Sequence, residues 1–264
     1  MIWEVYAVKY ADRPGRTRAD SFVFDDHASD PHAMDYFLWV LKSGGRTILV
    51  DTGYDAEEAE SRGRPIRRDP GAALAPLGLR PEDIDTIICT HLHYDHAGGL
   101  HQYPGAWIHL QTTEMAFATG PCMCDPTMKL PFTGSHVCEA VMRLHQGRVQ
   151  FHEGDGEVAD GVTVHRVGGH SRGLQVVRVR TNKGWLCLAS DAAHYYENVF
   201  ERKPFPIVID LEDMVRGWDR IEALASDRNL LIPGHDPLVS THFPVGPVDY
   251  IRRLDLGPSK PLPT

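Results

Sequence analysis

The chain has 264 residues, with 36 Asp and Glu against 27 Lys and Arg, a formal net charge of −9, and 15 histidines. At 42% hydrophobic and 24% charged residues it can bury a sizeable core, which excludes an acidic disordered tail. The acidic balance argues against a nucleic-acid partner, because phosphate backbones are bound by clustered Lys and Arg.

The length predicts one domain over residues 1–264. No run approaches the roughly 18 uncharged apolar residues of a membrane span, so no membrane partner is expected. Met1-Ile2-Trp3-Glu4-Val5-Tyr6 has neither a basic n-region nor a continuous apolar stretch, so no signal peptide is read there. Five cysteines, at 89, 122, 124, 138 and 187, follow no disulfide spacing, and cytoplasm is the expected location.

In chain order, Trp3–Tyr10 reads as an edge strand. Tyr36–Leu41 and Thr47–Val50 flank Ser43-Gly44-Gly45-Arg46, a hairpin signal. A helix containing Ala72–Leu77 is predicted, stopped before Pro81. Ile84–Thr90 is a short β-branched apolar run and reads as a buried strand. Trp107–Leu110 is a further strand and Thr113–Ala118 a short helix. Gly120–Gly134, with its Pro, Cys and Met residues, reads as an irregular loop. Val162–Val167, Gln175–Thr181 and Trp185–Ser190 are strands. Asp210 is placed to cap a helix whose apolar residues Leu211, Met214, Val215, Trp218, Ile221 and Leu224 follow the 3.6-residue period. Leu230-Leu231-Ile232 is a last buried strand before Pro233-Gly234-His235. Hairpin-linked strands interleaved with helices predict an α/β fold of layered sheets with helices outside.

The chemistry concentrates where the strand Ile84–Thr90 runs into His91-Leu92-His93-Tyr94-Asp95-His96-Ala97-Gly98-Gly99. His91, His93, Asp95 and His96 are four potential ligands in one short loop. Imidazole nitrogen and carboxylate oxygen suit zinc and similar first-row divalent ions. Gly98 and Gly99 let the backbone fold closely behind the loop. A solvated His-rich loop without metal is the bland reading, and it does not account for this spacing at a strand end. Cys122-Met123-Cys124 has no second Cys or His pair nearby and reads as loop rather than as a soft-metal site.

The motif His91-x-His93-x-Asp95-His96 resembles the signature of the metallo-β-lactamase superfamily. That resemblance implies a four-layer αββα sandwich and further ligands at later strand ends. His170 in Val167-Gly168-Gly169-His170-Ser171, Asp191 after Trp185–Ser190, and His235 in Pro233-Gly234-His235-Asp236 stand in the expected order. By resemblance, His91, His93 and His170 hold one divalent metal, and Asp95, His96 and His235 a second, with Asp191 bridging. Zinc is the ion expected for both. Asp51, in Val50-Asp51-Thr52-Gly53, matches the family's buried aspartate and is expected to orient the His loop.

Within the superfamily the sequence resembles the N-acyl homoserine lactonases. The likeness rests on Met34–Val40, Val50–Tyr54, His91–Gly99 and Pro233–Pro237. It implies a lactone-opening hydrolase in which a metal-bridging hydroxide attacks the ring carbonyl of a small-molecule substrate. Where those enzymes place a Tyr three residues after the bridging Asp, this chain has His194. His194, or Tyr195 beside it, is the expected hydrogen-bond donor to the substrate, and Asp95 or His194 the expected proton carrier. Phe22, Phe24, Met34, Phe117, Met123, Met128 and Phe132 are available for an apolar substrate pocket. The same site could open a cyclic amide, thioester or phosphodiester, hold iron for redox chemistry, or bind metal without catalysis; a homodimer stays open as well.

Overall fold

The computed structural model describes residues 1–262. Its strands are β1 (Glu4–Arg13), β2 (Met34–Ser43), β3 (Arg46–Val50), β4 (Thr86–Ile88), β5 (Trp107–Gln111), β6 (Val149–His152), β7 (Asp155–Ala159), β8 (Val162–Arg166), β9 (Gln175–Thr181), β10 (Gly184–Ser190), β11 (Leu231–Pro233) and β12 (Ile251–Arg253). The helices are α1 (Ala56–Arg62), α2 (Tyr94–Ala97), α3 (Thr112–Ala118), α4 (Gly134–His145), α5 (Tyr196–Phe200), α6 (Leu211–Leu224) and α7 (Pro237–His242). One sheet runs β12-β1-β2-β3-β4-β5-β6 and the other β11-β10-β9-β8-β7.

The sheets stack because their strands alternate. In β2, Phe37, Trp39 and Leu41 point into a core shared with the second sheet, while Tyr36, Leu38 and Val40 point to the outer helices. In β10, Leu186 and Leu188 face the first sheet, whereas Cys187 and Ala189 face Met214, Trp218 and Ile221 of α6. Period-two alternation with both faces covered yields three apolar layers between four structural layers. This is the αββα sandwich.

Several elements depart from the sequence reading. The first strand is not an edge: β12 pairs antiparallel with β1, Tyr6 opposite Arg253 and Val8 opposite Ile251. Residues Ala72–Leu77 form a 3₁₀ turn rather than an α-helix, with Pro76 inside it. The irregular stretch ends where α4 begins, a helix whose apolar pattern is masked. Its Met142 and Leu144 are exposed, while Arg143 is buried and donates to the carbonyls of Leu100, Tyr103 and Pro104. The helix after Asp210 is present, and the Asp210 carboxylate accepts from Asp213 N at 2.9 Å.

Candidate metal centre

The parallel pair β3–β4 places two loops side by side at one rim of the sandwich. Asp51, just past β3, sits at φ 60°, a conformation that few residues other than Gly, Asn and Asp adopt readily. From there its carboxylate accepts from Thr90 N at 2.7 Å, Thr90 Oγ1 at 2.8 Å and His96 Nδ1 at 2.7 Å. The one-turn helix α2 starts immediately after His93, and so Asp95 and His96 turn back towards the first two histidines. A Cβ at Gly98 or Gly99 would overlap the carbonyl oxygens of Tyr94 or Thr52, so the loop closes only with glycine there.

The other loops arrive from the second sheet. His170 follows Gly168 and Gly169, both at positive φ, and donates from Nδ1 to Ile207 O at 2.8 Å. Asp191 follows Ser190, itself at φ 45°. His235 follows β11, parallel to β10, and its Nδ1 donates to Asp35 O at 2.8 Å. With Nδ1 engaged, each ring presents Nε2 to the centre.

Those free atoms converge. Ligand atoms of His91, His93 and His170 lie within 4.8 Å of one another, as do those of Asp95, His96 and His235. Asp191 stands between the groups: Oδ1 is 3.3 Å from His96 Nε2 and 3.1 Å from His235 Nε2, and Oδ2 is 3.2 Å from His170 Nε2. All of these residues are buried. Nε2 of His91, His93, His96 and His170 and Oδ1 of Asp191 have no hydrogen-bond partner. Buried polar atoms are nearly always satisfied, so five orphans aimed at one point fit divalent cations between them.

The electrostatics divide the ligand set. Burial, then the neighbouring imidazoles, pushes His91 and His93 well below the ordinary histidine range, leaving neutral ligands. For His96 burial acts downward too, but Asp191, Asp51 and Asp95 outweigh it and raise the pKa well above the usual value. Burial would raise Asp191, yet His235, His96 and His194 hold it well below the usual carboxylate range.

His194 lines the same cleft, stacked on Phe205 at 3.9 Å between ring centroids, with Nε2 3.0 Å from Asp191 Oδ2. Burial lowers its pKa to about 4. Tyr195 is the correction to the sequence reading. Its hydroxyl donates to Ala33 O and accepts from Ser21 Oγ, both at 3.3 Å, and its ring packs on Phe22 and His32, away from the cleft. The backbone after Asp191 turns it to the other side.

The apolar pocket is also redrawn. Of the residues put forward for it, only Met34 lines the cleft. Phe22 is buried elsewhere, Phe24 is 97% exposed, and Phe117 belongs to a separate cavity of about 330 Å³ with Cys122. Phe132 supports the site from behind, its ring 4.6 Å from that of His93. The sequence reading missed Glu114, which is wholly buried in the first turn of α3. One carboxylate oxygen accepts from Leu92 N at 2.9 Å, and the other from Ser171 Oγ at 2.6 Å and Gly173 N at 2.9 Å. The only local signal was an acidic residue opening a helix, which usually marks a solvated end.

A helix-flanked double-sheet sandwich with His and Asp ligands gathered at its strand ends defines a metal-dependent hydrolase. The chain belongs to the metallo-β-lactamase superfamily, whose family model matches residues 36–242. An N-acyl homoserine lactonase from a Bacillus sp is 30% identical over 240 residues, covering 84% of this chain and 90% of the relative. One from Bacillus cereus is 28% identical over 216 residues, covering 76% and 80%. Among solved structures, an N-acyl homoserine lactone hydrolase with N-hexanoyl-L-homoserine at its catalytic metal centre superimposes with a TM-score of 0.73 at 24% identity, over 89% of this chain and 94% of that one. AidC, a dizinc quorum-quenching lactonase, superimposes with a TM-score of 0.69 at 16% identity, over 89% and 88%.

Proposed function

We propose that residues 1–264 form one catalytic domain that hydrolyses a small lactone at a binuclear divalent-metal centre. The observation that carries this reading is the pair of ligand clusters on either side of Asp191, with Nε2 of His91, His93, His96 and His170 unpartnered. The lactonase relatives, one covered over 90% of its length, support the choice of bond. A donor set of imidazole and carboxylate suits zinc. Five free cysteines suit a reducing compartment such as the cytoplasm, and no helix among the described residues is long and apolar enough to cross a membrane.

In this reading His91, His93 and His170 would hold one cation and Asp95, His96 and His235 the other, with Asp191 placed between the two groups. Bound there, the cations supply Lewis acidity towards the ring carbonyl and make a water acidic enough to attack near neutral pH. The protein's own groups do the rest. Asp51, Asp35 and Ile207 fix the imidazole orientations through the Nδ1 hydrogen bonds. His194, held flat on Phe205, is neutral and has one N–H, which Asp191 Oδ2 accepts in this structure; with that carboxylate engaged by the cations the N–H would be free to donate to the carbonyl oxygen. Asp95 Oδ2 or His194 Nε2 takes the proton that the attacking water loses and passes it to the alkoxide released when the ring C–O bond breaks, giving the open hydroxy acid.

Metal analysis of the purified protein, combined with hydrolysis of a lactone, a lactam, a thioester and a phosphodiester, tests the proposal. Two metals per chain and turnover of the lactone above the others are expected. Asp191→Asn should lose metal and turnover together; full activity with two metals bound would overturn the assignment.

A further inference from the structure

Three arginines ring the cleft above the ligand cluster: Arg13, Arg16 and Arg64. They come from separate segments. Arg13 ends β1, Arg16 lies just beyond it, and Arg64 follows α1, where the bridge between Ala11 and Ile66 ties that segment to β1. They balance Asp20, Asp95 and Asp191 of the same cleft, and cations held by the last two would leave the cleft positive in a chain of net charge −9. Neighbouring arginines are neutralised: Arg18 by Asp25 and Glu197, Arg62 by Glu58, and Arg67 by Asp12.

Among the described residues, none of the three rim guanidiniums pairs with a carboxylate. Arg16 spends one nitrogen on Asp20 O and Ser21 Oγ, and its Nε is buried without a partner. Arg64 donates once, to the Tyr94 hydroxyl, and lies 4.9 Å over that ring. The rim's own acid, Asp20, accepts from Thr17 N at 2.8 Å and Thr17 Oγ1 at 3.2 Å and attracts Arg16 and Arg13 only at longer range, without an ion pair to either. Asp95 and Asp191 belong to the metal clusters. Guanidinium N–H groups left half-buried and unpaired are costly, and a planar anion is the partner their geometry matches. The space is small as well. The cleft leaves about 70 Å³, against the roughly 300–1,000 Å³ of sites for drug-sized ligands.

We propose that the substrate is a compact lactone bearing a carboxylate, its ring over the ligand cluster and its carboxylate held by Arg13, Arg16 and Arg64. This rests on the lactonase reading and narrows it to an anionic substrate rather than a long neutral acyl chain.

The test uses 5-oxotetrahydrofuran-2-carboxylate, its methyl ester, and the ring-opened product 2-hydroxyglutarate with the metal-loaded protein. Wild type should hydrolyse the acid at least tenfold better in kcat/KM than the ester. The double variant Arg13→Gln/Arg16→Gln should lose at least tenfold of that preference and bind 2-hydroxyglutarate at least tenfold more weakly by calorimetry, with its circular dichroism and metal content unchanged. Arg13→Lys/Arg16→Lys should recover part of both. Hydrolysis of the ester at or above the rate of the acid would overturn the anion site while leaving the lactonase reading standing, and so would equal product binding by wild type and Gln variant. Arginine-dependent product binding without turnover of either lactone would uphold the anion site and sink the lactonase reading.

Discussion

Glu114 Oε2 accepts a hydrogen bond from the Ser171 hydroxyl at 2.6 Å, joining α3 to the residue that follows His170. Its other oxygen takes Leu92 N, between His91 and His93, so one buried carboxylate holds both ligand loops of the first cluster in register. Glu114→Ala leaves three buried donors without an acceptor. It should cost about 2–4 kcal/mol by the usual penalty for unsatisfied groups. Metal affinity should fall by roughly 10–100-fold, as for other partners that orient ligands. Chelator competition and urea unfolding measure both; loss of stability with unchanged metal affinity would reduce Glu114 to a core residue.

Asp51 allows a cleaner dissection. Its φ of 60° is one that Asn also tolerates, so Asp51→Asn removes charge without adding backbone strain. The substituted amide keeps the shape but cannot satisfy Thr90 N, Thr90 Oγ1 and His96 Nδ1 with two acceptor oxygens as the carboxylate does. Expected is a fold unchanged by circular dichroism and a roughly 10–100-fold weaker binding of one of the two metals. Equal loss of both metals would indicate that the whole loop had moved.

These two residues also mark what could be read in the chain. His91, His93, Asp95 and His96 announce themselves because a tight loop needs its ligands close in sequence, whereas Asp51 was legible only through the family resemblance, since an Asp at a strand end is by itself an ordinary turn residue. Glu114 reaches Leu92 and Ser171 across 22 and 57 residues, and only the folded chain brings them together. Hairpin-linked apolar strands interleaved with helices made the layered sheets legible, whereas three-residue β12 carries too short a pattern to reveal that it covers β1. The rim arginines were hidden for a similar reason. Arg13 and Arg64 look like ordinary surface charge until the Ala11–Ile66 bridge sets them beside one cleft.

His194→Ala removes a side chain that stacks on Phe205 and contacts Asp191. Both three-residue ligand clusters, His91–His93–His170 and Asp95–His96–His235, stay complete without it. Turnover should therefore fall by roughly 10²-fold, the scale for one donor or proton carrier, with metal content preserved. An unchanged rate would make His194 packing only; loss of a metal would make it a ligand.

Acid should act on a histidine pair that does not line the cleft. His109 on β5 and His152 on β6 stack with centroids 5.2 Å apart, and Nδ1 of the first lies 3.0 Å from Nε2 of the second. Burial, then the neighbouring His152, pushes His109 down to about 4. The unfolded chain takes up this proton near pH 6.5, so between about 6.5 and 4 the unfolded state binds more protons than the folded one. Stability from this group is complete above pH 6.5 and is lost as pH falls, on the order of 2–3 kcal/mol by pH 4. His109→Gln should flatten the wild-type stability curve in that window by a comparable amount in urea titrations of metal-free protein. Parallel curves would remove His109 from the account.

Gly99 tests whether the ligand loop tolerates any side chain. Its N–H donates to Gly53 O at 2.9 Å and to Thr52 Oγ1 at 3.1 Å, while Thr52 N donates to His96 O at 2.8 Å. The segments either side of Asp51 and His96 are thus clamped face to face, and a Cβ on Gly99 would overlap the Thr52 carbonyl, a backbone atom that cannot swing aside. Gly99→Ala should destabilise by about 2–3 kcal/mol, as other overpacked sites do, and weaken metal binding by prising His96 from Asp51. Gly105→Ala is the control, because nothing lies within 4 Å of its Cβ position. It should be neutral or stabilising by about 0.5 kcal/mol through the lower entropy of the unfolded chain. If the two substitutions shift the urea midpoint alike, close packing behind the His loop is not what demands glycine at position 99.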